Sequence, residues 1–198
     1  MFTGIVAAMG TVTDVAETAT GRRLRIEERT VVADMKIGDS VAINGVCLTA
    51  VDVGGGAVTV EVVQESLARS NLGSLVAGAR VDMERPMAAD GRFDGHIVQG
   101  HVDGVGTVDA TESEGEATRM RIGLSSDLAR YVVEKGSVTV DGVSLTVTAV
   151  GAEPSTWFEI VLIPHTLEVT VLGRRRVGDL VNLEMDVLAK YVERLMKP

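Results

Sequence analysis

The chain is written twice. Gly4-Ile5-Val6 followed by Gly10-Thr11-Val12 returns 96 positions later as Gly100-His101-Val102 followed by Gly106-Thr107-Val108. Ser40-Val41-Ala42-Ile43-Asn44-Gly45-Val46-Cys47-Leu48-Thr49 returns 97 positions on as Ser137-Val138-Thr139-Val140-Asp141-Gly142-Val143-Ser144-Leu145-Thr146, six of the ten identical. At a spacing of 100, Glu65-Ser66-Leu67 and Asn71-Leu72-Gly73 meet His165-Thr166-Leu167 and Val171-Leu172-Gly173, and 78–84 meets 178–184. Matched blocks in one order, separated by small length changes, are what duplication of one compact domain leaves. The expected division is a first copy over 1–96, a second over 97–186 and a tail over 187–198.

Within each copy the period is that of strands. Ser40 to Ala50 and Ser137 to Ala149 alternate apolar with polar or small residues around Asn44-Gly45 and Asp141-Gly142, a strong hairpin signal. Val58 to Val63 and Phe158 to Ile163 continue the alternation, and Gly54-Gly55-Gly56 is a turn. Thirty-three valines and 22 glycines against four prolines suit strands joined by tight turns. The expected fold is all-β: two tandem, similar six-stranded Greek-key-like barrels, closed because closure removes exposed edges. From Val187 to Met196 the period changes. Val187, Leu188, Tyr191, Val192, Leu195 and Met196 form a helical stripe, with Asp186 as N-cap. That helix either packs back on its own barrel or pairs with copies of itself.

Charge and length exclude several functions. A formal charge of −9 gives no basic field for nucleic acid, and Arg174-Arg175-Arg176 is the one basic triplet. No apolar run approaches the 18 to 20 or so residues of a bilayer span, and Met1 to Val6 lacks the basic flank of a signal peptide, so no membrane partner is expected and the chain reads as cytoplasmic. The single Cys47 cannot form an intrachain disulfide.

Where the copies differ in chemical type, a duplicated pocket has become unequal. Cys47 faces Ser144, and Ile5 faces His101. Cys47 reads either as a small buried hydrophobe in a strand or as a thiol placed for chemistry. His101 sits in Gly100-His101-Val102-Asp103-Gly104, where flanking glycine lets backbone approach a ligand and an imidazole suits proton transfer near neutrality. His96 and His101 lack the cysteine pair or carboxylate that would complete a metal site, and Gly104-Val105-Gly106 lacks the rest of a dinucleotide fingerprint. The residues alone describe a tandem barrel that binds one or two small ligands, with acid/base chemistry open.

Taken together, Met1 to Val6, Asn44 to Thr49, Gly95 to Gly104 and Leu162 to Glu168 resemble the riboflavin synthase family, built from two lumazine-binding barrels. The resemblance spans essentially the whole chain. It implies a dismutation in which two molecules of 6,7-dimethyl-8-ribityllumazine exchange a four-carbon unit, giving riboflavin and 5-amino-6-(ribitylamino)uracil, with no cofactor. It also implies a homotrimer whose assembly uses the C-terminal helix, and it leaves room for association with lumazine synthase. By motif, Gly4, Ile5, Val6, Cys47, Leu48, Thr49, Glu61, Val62, Val63, Gln64, Glu65 and Ser66 are expected to line a first pocket. Gly100, His101, Val102, Lys135, Ser144, Leu145, Thr146, Val161, Leu162, Ile163, Pro164, His165 and Thr166 are expected to line a second. Phe2, Ser40, Cys47, His101, Thr146 and Asp186 match positions tied to the family's catalysis. His101 would assist proton movement; Ser40 and Cys47 would help activate the nucleophile. The chain departs from the pattern at Gln99, where a small Ser is common, at Ser66, where Thr is common, and at Phe93-Asp94, where Leu-Gly is common. A carrier related to the bacterial lumazine proteins is the competing reading; such carriers tend to lose the second copy's Gly-His motif, which this chain keeps.

Overall fold

In the computed structural model, which describes residues 1–152 and 154–196, the repeat is folded as a repeat. The first copy holds β1 (Ala8–Thr18), β2 (Gly21–Glu27), β3 (Ser40–Ile43), β4 (Val46–Gly54), β5 (Ala57–Val63), α1 (Gln64–Arg69) and β6 (Arg80–Glu84). Its strands close into an antiparallel barrel in the order β1-β2-β5-β4-β3-β6. The second copy holds β7 (Gly104–Glu114), β8 (Ala117–Gly123), α2 (Ser126–Ala129), β9 (Ser137–Val140), β10 (Val143–Thr146), β11 (Ala149–Gly151), β12 (Trp157–Leu162), α3 (Pro164–Val169) and β13 (Leu180–Met185). Helix α4 (Val187–Met196) follows; 197 and 198, the end of the expected tail, lie outside the described residues.

Two differences from the expected fold appear. The second sheet curls without closing and has seven strands, in the order β10-β9-β13-β7-β8-β12-β11, where a closed six-stranded barrel was expected. Its two edge strands are consecutive in the chain and separated only by Val147 and Thr148, so the curl is that of the first barrel with its fourth strand broken. The break follows Val147, whose carbonyl accepts from Lys135 at 2.8 Å and whose N–H donates to Gly136 at 3.0 Å. Ala50 of the first copy makes the matching pair of bonds with Gly38 and Asp39, and there β4 continues with only a register shift between Ala50 and Asp52. The second difference is α1, α2 and α3, four to six residues each with no buried side chain, too short to print a helical period on the sequence.

The hairpin turns form as expected. Asn44 and Gly45 sit at φ 45° and 79°, Asp141 and Gly142 at 48° and 86°, the paired positive values of a type I′ turn. The alternation then decides what faces inward. Val41, Ile43, Val46, Leu48 and Ala50 fill the first barrel with Leu24, Ile26, Val58 and Val60. Val138, Val140 and Val143 do the same in the second with Ile122, Phe158 and Ile160. Both interiors are packed with apolar side chains, so the polar residues of each hairpin face outward.

The copies meet at these turns. A Cβ on Gly45 would lie 2.7 Å from the Gly142 backbone nitrogen, and one on Gly142 equally close to that of Gly45. A buried polar network surrounds the contact. Asp141 accepts from the Asn182 N–H at 2.9 Å and the Asn71 amide at 3.0 Å, and Arg175 binds its second oxygen at 2.6 and 2.8 Å. Asn182 donates to the Asn44 carbonyl at 2.8 Å and accepts from the Asn71 N–H at 2.7 Å, while Asp82 accepts from the Val171 N–H at 2.9 Å.

Candidate active site

The opening segments of the two copies pair with each other and then exchange partners. Phe2 and Val98 form an antiparallel bridge, with N–H to carbonyl distances of 2.7 and 3.2 Å. From there the chains cross over. The Ser144 N–H donates to the Gly4 carbonyl at 2.8 Å, and the Cys47 N–H donates to the Gly100 carbonyl at 2.8 Å. Val6 packs on the second core and Val102 on the first. Each hairpin is thus completed by the other copy's opening segment, which regroups the residues expected in each pocket. His101 joins Cys47, and Gly4 joins Ser144.

Glycine is required at the crossing points. Gly4 and Gly100 both have φ of +77°, and a Cβ on either would lie 2.6 Å from the Cβ of Ser144 or Cys47. Phe2, fully buried, packs with Ala42 and Val98 and supports Cys47 from behind.

The result is a cavity of about 400 Å³ on the outside of the first barrel. It is lined by Val46 and Cys47 from β4, by Glu65, Ser66, Arg69 and Ser70 in and after α1, and by Gly100, His101, Val102 and Asp103. Cys47 lies on the outward face because Leu48 and Val46, on either side, point into the core. Ser40 stands opposite Thr49 in the β3–β4 register, on the same outward face as Cys47, but neither lines this cavity.

Glu184 and Glu84 hold the crossing segments. Glu184 accepts from the N–H of Gln99 at 2.7 Å and from that of His101 at 2.8 Å. Glu84 accepts from the N–H and hydroxyl of Thr3 at 2.8 and 2.9 Å and from the Gly4 N–H at 3.1 Å. Burial pushes both carboxyls above the usual range, and the backbone donors oppose it. Only the backbone of Gln99 meets Glu184, whereas Thr3 in the matching place adds its hydroxyl to Glu84.

On the second copy, the Ser144 hydroxyl is 2.7 Å from His96 Nδ1. Burial lowers the His96 pKa, and the charge of Asp186 opposes the shift. Asp186 caps α4 through the Leu188 N–H at 2.9 Å, as the sequence predicts, and lines a separate cavity of about 440 Å³ with Ser137, Arg130 and Tyr131. Thr146 pairs with Ser137 across the β9–β10 ladder and faces out. Lys135 is exposed and held at φ 65°. Ile5, Val63 and Ile163 are exposed, while Gln64, Glu65, Ser66, Pro164, His165 and Thr166 lie in α1 and α3. The side chains of Leu48, Val62 and Leu162 are buried in the cores, and that of Leu145 packs against the second core. Glu61 pairs with Arg23 at 2.5 Å.

Sequence reasoning missed Val46, Arg69, Ser70 and Asp103 in the cavity and the His96–Ser144 contact. The signal was present: Arg69 faces Val169 and Asp103 faces Ala7 in the repeat, the same kind of mismatch that singles out His101.

A family model described as the lumazine binding domain matches residues 3–86 and again 99–186. A riboflavin synthase of Mycobacterium tuberculosis is 54% identical over 198 residues, covering 100% of this chain and 98% of that protein. Those of Bacillus subtilis and Schizosaccharomyces pombe are 38% and 40% identical, covering 99% and 100% of this chain and 90% and 94% of theirs. Among solved structures, LumP complexed with riboflavin superposes with a TM-score of 0.85 at 23% identity, over 93% of this chain and 99% of that one, a likeness of fold. Two matched lumazine-binding domains and full-length relatives at this identity place the chain in the riboflavin synthase family.

Proposed function

We propose that this chain is a riboflavin synthase, a transferase that turns two molecules of 6,7-dimethyl-8-ribityllumazine into one riboflavin and one 5-amino-6-(ribitylamino)uracil. The observation that carries the reading is the meeting of Cys47 and His101, from different copies, in one cavity on the outer face of the first barrel. A four-carbon unit leaves one ring system and joins the other. The atoms balance without oxidant, reductant or cofactor, so the protein's task is placement and proton movement. In this account His101 moves protons at the acidic 7-methyl group, and Cys47 and Ser40 help activate the nucleophile that adds to the acceptor ring. Gly4, Ser144 and Thr146 belong to the matching site on the second copy.

The working molecule is a homotrimer. Leu188, Tyr191, Val192, Leu195 and Met196 of α4 are all more than half exposed, an apolar face that a single chain leaves uncovered. In sequence the units are 1–96, 97–186 and 187–198, with the opening segments crossing between the first two.

A lumazine carrier is the less favoured reading, since the full-length relatives at 38 to 54% identity are named riboflavin synthase. Incubating the purified chain with 6,7-dimethyl-8-ribityllumazine alone separates the two. The enzyme forms riboflavin; lumazine recovered bound and unchanged would establish the carrier. Among the described residues no helix is long and apolar enough to cross a membrane.

A further inference from the structure

Asp103 lies two residues past His101 and is fixed three ways. Its N–H donates to the Leu183 carbonyl at 2.9 Å, and its Oδ2 accepts from the Met185 N–H at 2.8 Å. Lys190 Nζ, from helix α4, lies 2.7 Å from Oδ1 and 2.6 Å from Oδ2. Glu184 grips the same segment at Gln99 and His101. The run from Gln99 to Asp103, which carries His101 into the cavity, is therefore anchored on β13 and tied to α4.

The first copy has only part of this arrangement. Glu84 grips Thr3 and Gly4 as Glu184 grips Gln99 and His101. The residue matching Asp103 is Ala7, the residue matching Lys190 is Asp90, and no helix lies between β6 and β7. Of the two copies, only the one whose opening segment bears the histidine has this ion pair. Both side chains are about three-quarters covered, at 23% and 26% exposed, where a charge-assisted bond holds geometry better than at an open surface.

We propose that the Asp103–Lys190 ion pair is a positioning device of the first pocket, holding the His101 segment against Cys47 and coupling that segment to helix α4. The proposal rests on the enzymatic reading above. Lys190 touches no reacting atom; it acts through His101.

Lys190→Met, Lys190→Arg and Asp103→Asn test it, each made alone and in a His101→Ala background. Asp103→Asn keeps an acceptor for the Met185 N–H and leaves α4 unaltered, so it decides the matter if Lys190→Met assembles abnormally. Lys190→Met and Asp103→Asn should each lower kcat for riboflavin formation about tenfold while lumazine affinity stays within about twofold, the pattern of a displaced group rather than a lost contact. Lys190→Arg should restore most of the loss. With His101 already replaced, neither substitution should slow the reaction further. Wild-type kcat in both variants, or the same tenfold loss without His101, would overturn the positioning role. A wild-type chain that forms no riboflavin would instead overturn the functional reading, and this proposal with it.

Discussion

The backbone N–H of Cys47, in the first copy, donates to the carbonyl oxygen of Gly100, in the second, at 2.8 Å. The same bond joins Ser144 to Gly4 in the opposite sense. Neither copy completes its own hairpin face, so the cavity beside Cys47 is built from both copies.

The crossing needs glycine. Gly100→Ala would place a methyl group 2.6 Å from the Cys47 Cβ on a backbone at φ +77°, which costs a residue with a side chain about 1–2 kcal/mol before any clash is counted. The expected outcome is a lower denaturation midpoint together with weaker lumazine binding, read by urea titration and by fluorescence titration of the ligand.

His101→Ala should reduce kcat on the order of a hundredfold and change lumazine affinity only a few-fold, as expected for a group that moves protons. Cys47→Ser should act in the same direction. Steady-state kinetics beside equilibrium binding distinguish this from a structural role, in which both quantities fall together.

Arg175 is the cation that meets the fully buried Asp141. Arg175→Met would leave that carboxylate buried without its partner and should destabilise the fold by about 3–5 kcal/mol. Chemical denaturation at constant pH measures it.

Asp82 makes stability pH-dependent. Burial raises its pKa to about 8; the Val171 N–H and the charges of Arg175 and Arg80 oppose the shift, and Asp141 adds to it. The folded state therefore keeps a proton that the unfolded chain releases near its ordinary value of 3.8. The contribution is full below that value and is lost as pH rises to about 8. Asn182, the matching residue of the second copy, carries no such charge. Asp82→Asn should accordingly flatten the fall in stability between pH 4 and 8 and raise the midpoint at neutral pH; an unchanged pH profile would refute the assignment.

Much of the fold was legible because duplication prints itself on the sequence and the strand period survives in both copies. Asn44-Gly45 and Asp141-Gly142 announced their turns, and Asp186 its helix. Cys47 and His101 were found by comparing the copies. Their meeting was not, because which hairpin an opening segment joins is decided by backbone bonds such as Cys47 to Gly100, which carry no side-chain signature. The helices α1 and α3 were missed for a related reason: each is six residues long and buries no side chain. The outward position of the pockets follows only once Val41, Leu48, Val138 and their neighbours are seen to fill the lumens.

The crossed pocket is tested most directly by the reactivity of the single thiol. If His101 stands over the cavity that Cys47 lines, His101→Trp should fill that space and slow alkylation of Cys47 by iodoacetamide at least about tenfold in the native protein, with the rate restored on unfolding. An alkylation rate equal to wild type in the folded variant would contradict the crossing.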